Sequence, residues 1–249
     1  MRDTINVLDV PVDRITMEEA TRRISEFVNS TTYHTVITPN PEIVMLAKDN
    51  PEFKAVMKRA DLIVPDGIGV VLASKILKNS LPERVAGFDL VQNTMKQAVD
   101  KGYRYYFFGS KPGVADLAAE KMRSTYPGIQ IVGTHDGYFT EEDIPAIIEE
   151  INNSNANILL VALGAPKQEL WMDKYKDQLP HIRVAIGVGG SLDGMAGVVK
   201  RAPEFFQKVG LEWFYRLMMQ PTRAKRMLVL PKFVMEVYKE KYHKKAYSL

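Results

Sequence analysis

Asp66 stands in the run Val64-Pro-Asp-Gly-Ile-Gly, between a proline that stiffens the chain and a glycine that frees it. A carboxylate at that point, directly after an apolar stretch, is presented into whatever lies beyond. Two roles suit it: general base toward a bound hydroxyl, or a cap on the helix that follows. Thr38 and Asn40 in Thr38-Pro-Asn-Pro-Glu, and Gln168 in Gly164-Ala-Pro-Lys-Gln-Glu, add neutral hydrogen-bonding groups suited to a hydroxyl-rich ligand. Arg84, Lys167 and the arginines near the carboxyl terminus are the residue types that stabilise a departing anionic group. The glycine-rich stretches that begin at Gly109, Gly164 and Gly187 let backbone N–H groups come close to a diphosphate. Each loop taken alone is also an ordinary turn, and each cation alone a surface residue.

Several chemistries are disfavoured. In Gly187-Val-Gly-Gly-Ser-Leu-Asp-Gly the third glycine of a dinucleotide fingerprint would fall at Leu192, and no Walker sequence occurs, which weakens dehydrogenase and phosphoryl-transfer readings. The histidines His34, His135, His181 and His243 are scattered without metal-ligand spacing. Metal-independent chemistry without a cofactor is expected. The absence of cysteine excludes disulfides, thiolate ligands and cysteine nucleophiles.

The elements that must hold these residues read as an α/β fold. Near-continuous apolar runs at 34–38, 61–64, 103–108, 129–132, 158–163 and 183–188 alternate with helix-like stretches at about 41–59, 68–78, 88–101, 112–125, 141–152 and 166–179. That alternation predicts a Rossmann-like parallel sheet with helices on both faces. Open α/β sheets bind ligands beyond the carboxyl ends of their strands, and the conspicuous loops all fall at those ends.

From Lys200 the pattern changes to a basic amphipathic helical appendage, giving an α/β body over 1–199 and a tail over 200–249. Phe205, Phe206, Val209, Trp213, Phe214 and Leu217 recur at helical spacing, and Pro221 and Pro231 divide the remainder into short helical pieces. The tail holds 12 Lys/Arg against 4 Asp/Glu, while the body holds 21 against 26. A cationic tail calls for an anionic partner, either nucleic acid, lipid headgroups or a phosphorylated substrate. Interleaving of its cations with Met, Leu, Val and Phe favours a lipid interface over nucleic acid. The N-terminus lacks an apolar signal core, and no apolar run approaches the length of a membrane span, so a cytoplasmic protein lying on a membrane is expected. Trp213, Phe214, Met218 and Met219 predict a homo-oligomer that hides this face away from the membrane.

Taken in order and spacing, Thr38-Pro-Asn-Pro-Glu, Val64-Pro-Asp-Gly-Ile-Gly, Arg84-Val-Ala-Gly-Phe-Asp, Phe108-Gly-Ser-Lys-Pro-Gly, Ala162-Leu-Gly-Ala-Pro-Lys-Gln-Glu, Val188-Gly-Gly-Ser-Leu-Asp and Arg201-Ala-Pro resemble the WecG/TagA/CpsF family of bacterial glycosyltransferases over most of the chain. The resemblance implies inverting transfer of N-acetylmannosamine from its UDP donor to undecaprenyl-diphosphate-linked N-acetylglucosamine in wall teichoic acid synthesis. A relative using another UDP-sugar, such as the uronic acid, is the alternative. It implies Asp66 as the base, with Thr38 and Gln168 beside it in the catalytic set. Asn40, Arg84, Gly109, Gly164, Lys167, Gly189, Gly190 and Asp193 are the implied substrate-binding positions. Arg216, Arg223 and Arg226 are the implied acceptor-side and membrane-side arginines. The implied location is the inner face of the cell membrane.

Overall fold

The computed structural model describes residues 2–203, 205–206, 211–219 and 228–246, with the side chains of 216 and 243–246 left aside. A two-stranded hairpin, β1 (Thr4–Val7) and β2 (Val10–Asp13), precedes α1 (Met17–Val28). The main sheet then unfolds along the chain. It comprises β3 (His34–Ile37), α2 (Pro41–Asp49), α3 (Pro51–Arg59), β4 (Leu62–Ile63), α4 (Ile68–Ile76), α5 (Gly87–Lys101), β5 (Arg104–Gly109), α6 (Val114–Thr125), β6 (Gln130–His135), α7 (Ile144–Asn153), β7 (Ile158–Ala162), α8 (Lys167–Tyr175), β8 (Val184–Gly187) and the short α9 (Ser191–Met195).

Six strands pair in parallel in the order β4-β3-β8-β7-β5-β6. All their carboxyl ends therefore lie along one edge. Alternation within each strand feeds two apolar layers. Val36, Tyr105, Phe107, Ile158, Leu160, Val184 and Ile186 pack with α1, α5 and α6 on one face. Tyr106, Phe108, Leu159, Val161 and Ala185 pack with α7 and α8 on the other. The α/β reading and the parallel sheet with helices on both faces are thus what the chain forms.

Three local departures have clear causes. The helix expected over 41–59 is two helices, because Asn50 ends α2 and its side chain accepts from Phe53 N to start α3, with Pro51 at the first position. The hairpin turns at Leu8 and Asp9, both at positive φ, and α1 opens with a capping box in which Thr16 and Glu19 satisfy each other's backbone N–H groups. Pro231 does not break the tail there: it sits in the first turn of an 18-residue helix, Val229–Ala246, where a missing N–H costs nothing.

That C-terminal helix is anchored on the body. Phe233 and Val237, one turn apart, are buried in a cluster with β1, β2, α2 and α4. Glu240 accepts from Leu8 N at 2.9 Å, Glu236 pairs with Lys48, and Lys232 pairs with Asp49 at 3.3 Å. The preceding helix, Glu212–Met219, leaves Trp213, Phe214, Met218 and Met219 exposed, as the pattern predicted. Among the described residues no helix is long and apolar enough to cross a membrane.

Candidate active site

The loops after β3, β4, β8, β7 and β5 meet at the carboxyl edge of the sheet, and backbone bonds fix how they meet. Thr38, just past β3, donates from Oγ1 to Gly187 O at 3.0 Å, tying β3 to the end of β8. Asp66 N donates to Pro39 O at 3.2 Å and to Val64 O at 2.9 Å, so the loop carrying Asp66 folds back on the Thr38 loop. Val85 N donates to Pro65 O at 3.0 Å, which carries Arg84 to the same corner, and Gly87 at the start of α5 packs on the Thr38 side chain.

Asp66 is half-buried there. The capping position of α4 is Gly67, so Asp66 stands one residue before it. Of its two sequence readings, the capping role is therefore not the one the backbone provides. Asn40, by contrast, does cap: its side chain accepts from Ile43 N at 3.1 Å and starts α2. Its amide nitrogen is not used in that cap.

The loop from Val188 to Gly190, followed by the first turn of α9, crosses to a second corner. Ser110 Oγ donates to Asp193 Oδ2 at 3.4 Å, and Ser110 N donates to Ala162 O at 2.9 Å. Gly109, which ends β5 at a φ of 124°, has no room for a side chain: a Cβ would lie 2.5 Å from the Ala162 carbonyl. Gly137, after β6, donates its N–H to Ser110 O at 2.8 Å and brings that loop alongside. The Lys167 ammonium lies 4.1 Å from the centroid of the Phe139 ring, an attraction that holds it at the mouth of this corner.

Between the corners sits Gln168. It is 2% exposed, and its amide is committed: Oε1 accepts from Gly164 N at 3.2 Å and from Gly189 N at 3.1 Å, while Nε2 donates to Glu169 Oε1 at 2.8 Å. This revises the expectation for the two glycines. Their N–H groups were read as diphosphate donors, yet both point at Gln168, because a buried amide oxygen with two lone pairs needs two donors. Gly190 is the cap residue of α9, and Asp193 lies in its first turn. The sequence reading also assigned no role to Glu169, which is 0% exposed and has an oxygen, Oε2, without a hydrogen-bond partner. Burial pushes its pKa up from 4.5 to about 7. The signal was in the Gln-Glu pair, but sequence alone does not tell an outward glutamate from an inward one.

Arg84 reaches beyond the body: its guanidinium lies 3.5 Å from Glu212 in the C-terminal segment, with both side chains more than four-fifths covered. Arg201 pairs with Asp89 at 2.6 Å and covers the Phe88 ring. Of the tail arginines, Arg216 lies on the Glu212–Met219 helix, while Arg223 and Arg226 fall outside the described residues. No group of three acidic or histidine side chains that could hold a metal occurs among the described residues.

A separate cleft of about 340 Å³ opens at the other end of the strands, lined by Tyr33, Thr35, Arg59, Asp61, Asp173 and Lys176. Its cations are satisfied internally, Arg59 and Lys176 both bonding Asp173. It also lies at the amino ends of β3 and β4, away from the edge where α/β sheets bind ligands.

The model of the glycosyl transferase WecG/TagA/CpsF family matches residues 5–247. A Bacillus spizizenii protein named N-acetylglucosaminyldiphosphoundecaprenol N-acetyl-beta-D-mannosaminyltransferase is 43% identical over 204 residues, 82% of this chain and 78% of its own. A Bacillus subtilis protein of the same name is 39% identical over 212 residues, 85% of this chain and 82% of its own.

Proposed function

Since the chain belongs to the WecG/TagA/CpsF family of glycosyl transferases, we propose that it transfers N-acetylmannosamine from a UDP donor to undecaprenyl-diphosphate-linked N-acetylglucosamine, with inversion, in making the wall teichoic acid linkage unit. The observation that supports the site assignment is the set of backbone bonds, Asp66 N to Pro39 O and Val85 N to Pro65 O, that brings the loops carrying Thr38, Asp66 and Arg84 together at the carboxyl edge of the sheet.

In a single displacement the acceptor hydroxyl oxygen attacks the anomeric carbon while the bond from that carbon to the UDP oxygen breaks. Asp66 takes the hydroxyl proton, and UDP departs with the bonding pair. Lys167, Arg84 and backbone donors of the crossing loop stabilise the charge that grows on the leaving diphosphate. The Asn40 amide nitrogen and Asp193 bind sugar or nucleotide hydroxyls, and the chemistry needs no metal or cofactor. No nucleic acid is involved.

The reading extends to where the reaction runs. The lipid-linked acceptor lies in a membrane; the segment from residue 200 is basic in sequence, and its described residues leave Phe205, Trp213, Phe214, Met218, Met219 and Leu228 exposed. Each basic residue near an anionic leaflet contributes about 1 kcal/mol. We assign residues 200–249 to docking on the cytoplasmic face of the membrane, with Arg216, Arg223 and Arg226 meeting the acceptor diphosphate, and self-association covering the same face off the membrane.

The test is turnover on a panel of UDP-sugars with a lipid-diphosphate N-acetylglucosamine acceptor. N-acetylmannosamine transfer is expected, and Asp66→Asn is expected to lower kcat by about 100-fold or more with UDP affinity changed only a few-fold. Near-normal turnover by that variant removes Asp66 from the mechanism. Preference for the uronic acid donor redirects the substrate assignment.

A further inference from the structure

Glu169 presents a physical conflict. It is fully buried, one of its oxygens has no partner, and no cation offsets it: the groups that bear on its charge are the Gln168 amide and its own backbone N–H. Its position in the first turn of α8 lets the helix dipole help a negative charge. That help does not satisfy Oε2, and a buried carboxyl with an unmade hydrogen bond costs stability. Apolar residues of similar size normally do better at such a position. Groups kept against stability concentrate where a site needs them.

What Glu169 does is visible in its one strong contact. Its Oε1 takes the Gln168 Nε2–H, and Gln168 Oε1 takes the N–H groups of Gly164 and Gly189. Turning the amide over would set its N–H groups against two backbone N–H donors and its oxygen against the carboxyl oxygen, so the glycine N–H groups oppose the wrong orientation at one end and the carboxyl opposes it at the other. Gly187 completes the seat. A Cβ there would lie 2.8 Å from Gln168 Nε2, so the amide is packed against backbone with no slack. Through one amide, a residue on α8 sets the spacing of the loops leaving β7 and β8.

We infer that Glu169 is a positioning residue of the transferase: by fixing the Gln168 amide it holds the Gly164 and Gly189 loops at the separation that receives the donor's diphosphate. The inference rests on the crevice assignment made above, and it goes beyond it in giving Glu169 a role and Gln168 an internal one. Glu169 touches no substrate; its effect reaches the donor through Gln168.

The experiment compares Glu169→Leu and Glu169→Gln with the unaltered protein, by donor KM and kcat, by calorimetric UDP binding and by thermal unfolding. For Glu169→Leu the donor KM and the UDP Kd are expected to rise tenfold or more, kcat to fall less, and the midpoint of unfolding to hold or rise. Glu169→Gln, which keeps an acceptor at the same reach, recovers most of the lost affinity. Should Glu169→Leu fail to accumulate folded, Glu169→Asp withdraws the carboxyl by one methylene and carries the same expected KM rise. Unchanged KM and UDP affinity in Glu169→Leu overturns the inference, as does a loss of affinity that tracks a loss of thermal stability. Asp66→Asn run alongside separates the two readings. If it is inactive while Glu169→Leu is normal, only the positioning role falls; if it turns over normally, the crevice assignment falls first.

Discussion

Replacing Glu169 with glutamine should make the protein more stable, and by an amount that depends on pH in a direction fixed by the structure. In the folded state burial raises the carboxyl pKa from 4.5 to about 7. The folded protein therefore holds this proton more tightly than the unfolded chain, and raising the pH takes stability away. The loss begins near pH 4.5, runs through the folded pKa near 7, and is complete above it. At about 1.4 kcal/mol per pKa unit the full effect is about 3 kcal/mol. Glu169→Gln has no proton to lose. Its stability advantage over the unaltered protein should therefore grow by about 2 to 3 kcal/mol between pH 5 and pH 8. Urea unfolding at several pH values reads this directly, as a gap in midpoint that widens with pH while the slope of each transition stays constant. Other titrating groups are common to both proteins and cancel in the difference. A gap that stays flat from pH 5 to pH 8 would refute the reasoning, because it would mean that Glu169 is charged or neutral alike in both states.

Two further predictions concern the frame. Gly109→Ala should destabilise by at least about 2 kcal/mol in denaturant unfolding, since the new Cβ meets the Ala162 carbonyl at 2.5 Å and the backbone keeps a positive φ. Phe233→Ala should cost about 3 kcal/mol in the same assay, because Phe233 is 2% exposed and anchors the C-terminal helix on the body; an unchanged midpoint would mean that the helix contributes nothing to the folded body.

The sheet was legible because its strands are buried on both faces. Runs such as Ile158–Ala162 and Tyr105–Phe108 carry no polar interruption, so neither register nor partner choice was needed to see them. The hairpin at residues 4–13 was not legible by the same signal. Its strands are four residues long, and its turn uses Leu8 and Asp9 at positive φ, where glycine or asparagine is the usual cue. The Thr16 to Glu19 box that opens α1 was present in the sequence, yet that helix was not among the elements read from it. In the tail, Phe233 and Val237 stand at core spacing, yet the surrounding Lys232, Lys239 and Lys241 made the whole segment read as surface. Composition averages over a helix, whereas docking depends on one stripe of it.

The site shows the same distinction at a finer scale. The placement of Asp66, Thr38 and Arg84 at the carboxyl edge was readable because it depends on where a strand ends, and strand ends are marked by proline and glycine. The internal partners of Gln168 were not, because they depend on which way a side chain turns from α8. A glutamine one turn into a helix faces either the crevice or the sheet, and only the short distances to Gly164, Gly189 and Glu169 decide it. That choice has a consequence for the chemistry. A glutamine offered to substrate would contribute a hydrogen bond of about 1 kcal/mol. One that fixes two loops instead sets the geometry of every donor contact those loops make, and small misplacements of such loops cost far more in rate than a single bond. On the positioning inference, the Gln168 and Glu169 pair acts through the sheet's carboxyl edge, and its substitutions should be read first in donor affinity.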